Sequence, residues 1–234
     1  MEECQRYHSS ENKARDTSRA AQIYVDVVND RRIWDNLNSV TILTVEEEMF
    51  DKYLFKWGRM SRCFPMKERK VCYKLLLETI RNEADTIESL RETRIDGVSL
   101  DSGPSRQKIE VLYHEFRDFC CNATKKQPTA SAKILHILLP QLFMIWDWKY
   151  VRNPLHFGSD SPSYVRYLKR GQSQLGDLLS SYHQLDASAD LAKLIQATEA
   201  EHDRFLAQEL GLKQPAHEPI TKLLDEYQVM ASAW

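Results

Sequence analysis

A chain of 234 residues with 42% hydrophobic and 28% charged side chains and a formal net charge of −2 falls among ordinary globular proteins, away from disordered and membrane-embedded classes. At this length folding buries enough surface that neither a metal nor a disulfide staple is needed. Seven glycines and eight prolines are few for a β-rich chain with many tight turns, which points to helices.

Five cysteines (Cys4, Cys63, Cys72, Cys120 and Cys121) form an odd set with no C-x-x-C spacing. That pattern predicts reduced thiols in a cytoplasmic protein rather than a disulfide framework or a zinc site. Residues 1–18 are polar and read as a flexible tail, without the apolar centre of a signal peptide. No run approaches the ~20 apolar residues of a membrane span, so no membrane partner is expected.

From residue 19 onward the apolar period is that of helices, with no convincing strand alternation. Ala20, Ile23, Tyr24, Val27 and Val28 make a first stripe. Thr44 and Glu47 fit a capping box for a helix carrying Met49, Phe50, Tyr53, Leu54 and Trp57, with Gly58 placed to end it in the left-handed conformation. Residues 66–90 read as one long helix or two. Gly97 and Gly103-Pro104 mark 93–105 as a linker, after which Ser105 is expected to cap a helix buried through Ile109, Leu112, Tyr113 and Phe116.

Residues 129–139 are nearly all apolar, as in the centre of a bundle, and Pro140 should end that helix. Asp147 is placed to cap a short helix over 148–152, Ser161-Pro162 starts another, and two more are read from Leu191 to Leu210 and from Pro219 onward. The expected fold is all-α: eight to nine helices in one orthogonal bundle over 19–234, or two lobes around a cleft with their boundary near 93–105.

Charge is unevenly spread. Between Lys125 and Arg170 there are eight cations (Lys125, Lys126, Lys133, Lys149, Arg152, Arg166, Lys169 and Arg170) against two acids, Asp147 and Asp160. Residues 171–234 hold four cations and ten acids. A basic stretch of this kind attracts polyanions. Aromatic residues interleave with it, among them Phe143, Trp146, Trp148, Tyr150, Phe157, Tyr164 and Tyr167, and cations with stacking rings are the ingredients of single-stranded or flipped-base recognition. The other reading puts the rings in the core and neutralises the cations with the acidic C-terminal helices.

Asp147 is the one acid between Asn122 and Phe157, which makes it a candidate general base as well as a helix cap. Lys133 and His136, three residues apart on one helix face, are candidate assistants. Glu199 and His202 match half of a helical di-metal motif, but no second Glu-x-x-His exists, so no metal is expected. Phosphate-binding glycine loops, nucleophile elbows and H-E-x-x-H are absent, and no cofactor is expected.

At Ser131-Ala-Lys-Ile-Leu-His136, Pro140-Gln-Leu-Phe143, Trp146-Asp147 and Lys222-Leu-Leu-Asp-Glu-Tyr227, the chain resembles a family of uncharacterised microbial all-helical proteins with an S-K-x-L-H, P-x-L-F and W-D series. The likeness runs from about Trp34 to Tyr227. More loosely, Pro128-Thr-Ala-Ser131 followed by Asp147 resembles the helix-hairpin-helix DNA glycosylase superfamily, where a catalytic Asp follows the hairpin helix at a comparable distance. The glycine-rich hairpin of that superfamily is replaced here by Lys125-Lys-Gln-Pro128, whose lysines would meet a phosphate as point charges.

The residues and the resemblance together lead to an expectation of a protein that binds DNA or RNA through Lys125, Lys126, Lys149, Arg152, Arg166, Lys169 and Arg170. Base excision would then fall to Asp147, with Lys133 or His136 assisting. The alternative is a non-catalytic helical module that binds a protein partner.

Overall fold

The computed structural model describes residues 32–58, 60–119, 126–146 and 156–183, together with 193, 195–201, 204, 221, 222 and 224. The fold is all-α. Among the described residues there are seven α-helices, one π-helix and three 3-10 turns, and no strand. In chain order they are α1 (Arg32–Asp35), α2 (Ile42–Thr44), the π-helix (Val45–Trp57), α3 (Arg69–Asn82), α4 (Ala84–Ser89), α5 (Pro104–Asp118), α6 (Pro128–Leu138) and α7 (Ser161–His183). The predicted Ala20–Val28 stripe, the short helix over 148–152 and most of the two C-terminal helices lie outside the described residues.

Local chemistry sets the boundaries, and several differ from those read in the sequence. The second helical unit is capped one turn earlier than expected: Thr41 Oγ1 accepts from the Thr44 amide at 3.2 Å, and the Thr41 amide donates back to Thr44 Oγ1 at 3.3 Å. Thr44 is therefore the third residue of a reciprocal box and not its cap. Gly58 ends the π-helix with φ −73°, not in the left-handed region; its amide donates five residues back to Tyr53 O at 2.7 Å. Glycine is required there for close approach, because a Cβ would lie 2.6 Å from Leu54 O.

The apolar period across 66–90 is divided at Glu83, which leaves helical geometry at φ −98°, ψ 8° and separates α3 from α4. Gly103, and not Ser105, occupies the cap of α5. Its φ of +96° is one that glycine alone adopts without strain, and Pro104 follows at the first helical position. Asp160 caps α7 by accepting from the Ser163 amide at 2.8 Å, with Pro162 in the first turn.

A single hydrophobic cluster runs from Trp34 to Leu224. Helix α6 lies at its centre, with every residue from Ala130 to Leu138 buried. Helix α5 packs on both α6 and α7. The 93–105 segment is tied in: Ile95, Val98 and Leu100 are buried, the Ile95 amide donates to Gln141 O at 2.9 Å, and Gln172 Nε2 of α7 donates to both Ile95 O and Val98 O at 2.8 Å. No helix among the described residues is long and apolar enough to cross a membrane.

Because α6 has no solvent face, shortening a side chain there removes both transfer energy and packing. Leu138→Ala should destabilise by about 2–5 kcal/mol in chemical denaturation. A loss under about 1 kcal/mol would fall in the range of surface substitutions and show that α6 is not central.

Candidate functional site

Between the end of α6 and the start of α7 the chain passes through the core as Phe143-Met-Ile-Trp146, a segment in neither helix nor strand, with all four residues buried. Buried backbone carbonyls need donors. Three consecutive ones receive them from side chains. His136 Nδ1 of α6 donates to Phe143 O at 2.7 Å, Tyr164 Oη donates to Met144 O at 2.5 Å, and Tyr167 Oη donates to Ile145 O at 2.9 Å. The first contact fixes the histidine tautomer with its proton on Nδ1. One turn back, Thr221 Oγ1 donates to Pro140 O. Gly171 completes the fit, since a Cβ there would overlap Met144 Sδ.

The rings of this region form one aromatic cluster. Tyr113 stacks on Tyr164 with centroids 4.2 Å apart and planes 8° from parallel, Trp146 lies 5.1 Å from Tyr164, and Trp146 meets Tyr167 edge to face at 5.5 Å. Phe143, Trp146, Tyr164 and Tyr167 are all buried. Of the rings expected to stack on bases, these four fill the core instead, Phe157 is packed against it, and Trp148 and Tyr150 lie outside the described residues.

Two of the three candidate catalytic residues, Lys133 and His136, fall among the described residues. Asp147, next in sequence after the clamped Trp146, lies outside the described residues. His136 is fully buried on the Phe143 carbonyl. Lys133 is 8% exposed, with its ammonium 4.3 Å from the centroid of the Trp57 ring, which in turn stacks on Tyr53. Close to Lys133 is Cys63, whose thiol burial pushes up while the lysine charge acts against the rise. Ser131 Oγ donates to Tyr113 O at 3.3 Å and joins α6 to α5. The side chains of the S-K-x-L-H series therefore each hold a contact inside the core.

The candidate phosphate-binding cations divide in a similar way. Lys125, Lys149 and Arg152 lie outside the described residues. Lys126 pairs with Asp118 at 3.3 Å and Lys169 with Asp101 at 2.5 Å, so their described partners are carboxylates that precede the basic stretch and not ones from the acidic C-terminal segment. Arg166 and Arg170 are exposed, one turn apart on the side of α7 opposite Tyr164, Tyr167 and Leu168. Arg166 Nη2 donates to Ser163 Oγ at 2.7 Å.

A second basic surface was missed by reading only 125–170. Residues 56–74 carry seven cations (Lys56, Arg59, Arg62, Lys67, Arg69, Lys70 and Lys74) against the single acid Glu68, a denser excess than the one that drew attention. A simple running charge count contains that signal. Among the described residues no group of three or more His, Cys, Asp or Glu side chains comes together to hold a metal ion.

Compared with known proteins, the chain matches no family model, no curated protein and no solved structure.

Near the start of α7, Arg117 is buried and makes a bidentate contact with Asp118 at 2.6 and 3.0 Å, while its Nη1 donates to Ser159 O at 3.0 Å. The Arg117 hydrogen bond, outweighing a rise from burial and aided by Lys126, holds the Asp118 carboxyl below the usual carboxylate range. A depressed folded-state pKa contributes stability that is fully present above the unfolded value of about 3.9 and is lost as pH falls through the folded value. Asp118→Asn should cost about 1–3 kcal/mol at neutral pH. The gap to wild type should close below about pH 4 in urea titrations. A gap that persists unchanged into acid would remove the ion pair from the account.

Proposed function

We propose that the protein binds nucleic acid as a polyanion, and that Asp147 is the residue to carry base-excision chemistry. The observation that supports binding is the exposed Arg166 and Arg170 pair on the outer face of α7. Guanidinium groups suit phosphate recognition because their planar donor fork meets two oxygens at once. With four of the candidate stacking rings in the core, the contact assigned to the described residues is with the sugar-phosphate backbone, which carries affinity and salt dependence without sequence reading.

In this reading Asp147 acts as the general base that polarises the nucleophile. Lys133 and His136 act through position: one is set against Trp57, and the other fixes the carbonyl that begins the Phe143–Trp146 segment leading to Asp147. The alternative, a non-catalytic module for a protein partner, draws support from the same buried rings and from the ion pairs of Lys126 and Lys169.

Two substitutions separate the readings. Arg166→Ala with Arg170→Ala should flatten the salt dependence of oligonucleotide binding by about 1–2 in the log–log slope, measured by fluorescence anisotropy. Absence of binding by wild type at low salt would leave the interaction module as the better reading. Asp147→Asn keeps the capping ability of Asp but cannot take a proton, so base release from damaged oligonucleotides should vanish while binding persists. Full activity in that variant would overturn the catalytic assignment.

A further inference from the structure

The cations of residues 56–74 are arranged differently from those of 125–170. Arg69 is consumed by structure: its guanidinium lies 4.4 Å from the Phe55 ring centroid, Nε donates to Phe64 O at 3.1 Å and Nη2 to Ser61 O at 3.3 Å. These bonds staple the 61–65 turns to the start of α3. Arg62, Lys67, Lys70 and Lys74 are exposed, and none of them enters an ion pair or hydrogen bond with another described residue.

Lys67 sits in the 3-10 turn Met66–Glu68 that leads into α3, while Lys70 and Lys74 stand one turn apart within α3 on the side opposite the buried Cys72, Leu76 and Ile80. At 1.5 Å of rise per residue the stems of Lys70 and Lys74 emerge about 6 Å apart, within reach of successive phosphates on one strand. The patch is bounded by acids: Glu68 lies within it, Glu78 follows on the same side of α3, and Asp51 and Glu46 of the π-helix face the neighbouring Tyr73.

The exposed apolar residues beside the lysines are Met66, at 80%, and Val71, at 45%, with no exposed aromatic ring among the described residues of 60–78. A membrane-surface face calls for a broad apolar side with Trp, Phe or Leu next to its cations, which this surface lacks. Exposed lysines with no ion-pair partner among the described residues match a phosphodiester backbone instead, which binds by counterion release and needs no apolar area.

We infer that the exposed cations at the start of α3, Lys70 and Lys74 in the helix with Lys67 and Arg62 in the turns before it, form a backbone-binding surface for nucleic acid, separate from the arginine face of α7. The inference rests on the nucleic-acid reading above.

The test uses the full chain and fluorescein-labelled single-stranded and duplex oligonucleotides over a range of salt concentrations. Lys67→Ala/Lys70→Ala/Lys74→Ala should lower the log–log salt slope for duplex by about 2–3 and weaken binding at least tenfold at low salt, on the order of one released counterion per lysine. The triple arginine variant should restore the slope, because it keeps the charges. Denaturation midpoints of both variants should equal wild type, since the side chains have no hydrogen-bond or ion-pair partners among the described residues.

Binding by the triple alanine variant with wild-type slope, while Arg166→Ala/Arg170→Ala binds weakly, would overturn this inference and leave the α7 reading standing. No wild-type binding to any oligonucleotide would overturn both. Lysine-dependent co-sedimentation with phosphatidylserine vesicles in the absence of oligonucleotide binding would overturn it in favour of a membrane surface.

Discussion

Three adjacent carbonyls in the buried Phe143–Trp146 segment, which lies in neither helix nor strand, set the donor requirement around which the described core is arranged. An unpaired buried carbonyl costs as much as a lost hydrogen bond. Phe143 O, Met144 O and Ile145 O therefore demand donors that reach them through the core, and these are supplied by His136 from α6 and by Tyr164 and Tyr167 from α7. Tyr164 and Tyr167 stand three residues apart on one helical face, so α7 approaches the segment in one register. Their rings then set the stacking with Tyr113 and Trp146, through which α5 is joined to the same unit. Along the buried Ala130–Leu138 stretch of α6 the polar side chains are Ser131, Lys133 and His136, and each makes a contact inside the fold.

Electrostatics follows the packing. Around α5 and α7, carboxylates take up basic side chains: Asp118 binds Arg117 and Lys126, and Asp101 binds Lys169. Exposed cations collect on the outer side of α7 and on the solvent side of α3. These faces belong to helices whose opposite sides are core, so their charges stand on rigid supports. That arrangement suits binding by electrostatics with little ordering cost.

The helical class, the central position of α6 and the stop at Pro140 were legible because apolar periodicity and proline chemistry act locally. Cap positions shifted by a turn at Thr41 and by one or two residues at Gly103 and Asp160, since several Ser, Thr, Asp and Gly residues compete there and tertiary packing selects among them. The π-helix was not legible, because its i→i+5 bonds leave no separate mark in a stripe that also fits an α-helix. Rings near cations looked like stacking platforms, and only three-dimensional packing separates a ring whose hydroxyl is a donor in the core, such as Tyr164, from one that faces solvent. The basic residues of 56–74 were legible by counting. They were overlooked because they straddle the end of one helix, two turns and the start of the next.

Side-chain donors hold the Phe143–Trp146 segment. A chemical-denaturation double-mutant cycle on Tyr164→Phe and Tyr167→Phe removes two of these donors and keeps the rings. Each single change should cost about 1–2 kcal/mol because a buried carbonyl loses its donor. The pair should deviate from additivity by about 0.5 kcal/mol or more, since both act on one segment. Two changes that each cost nothing would contradict the claim and show that the segment is held by apolar packing alone.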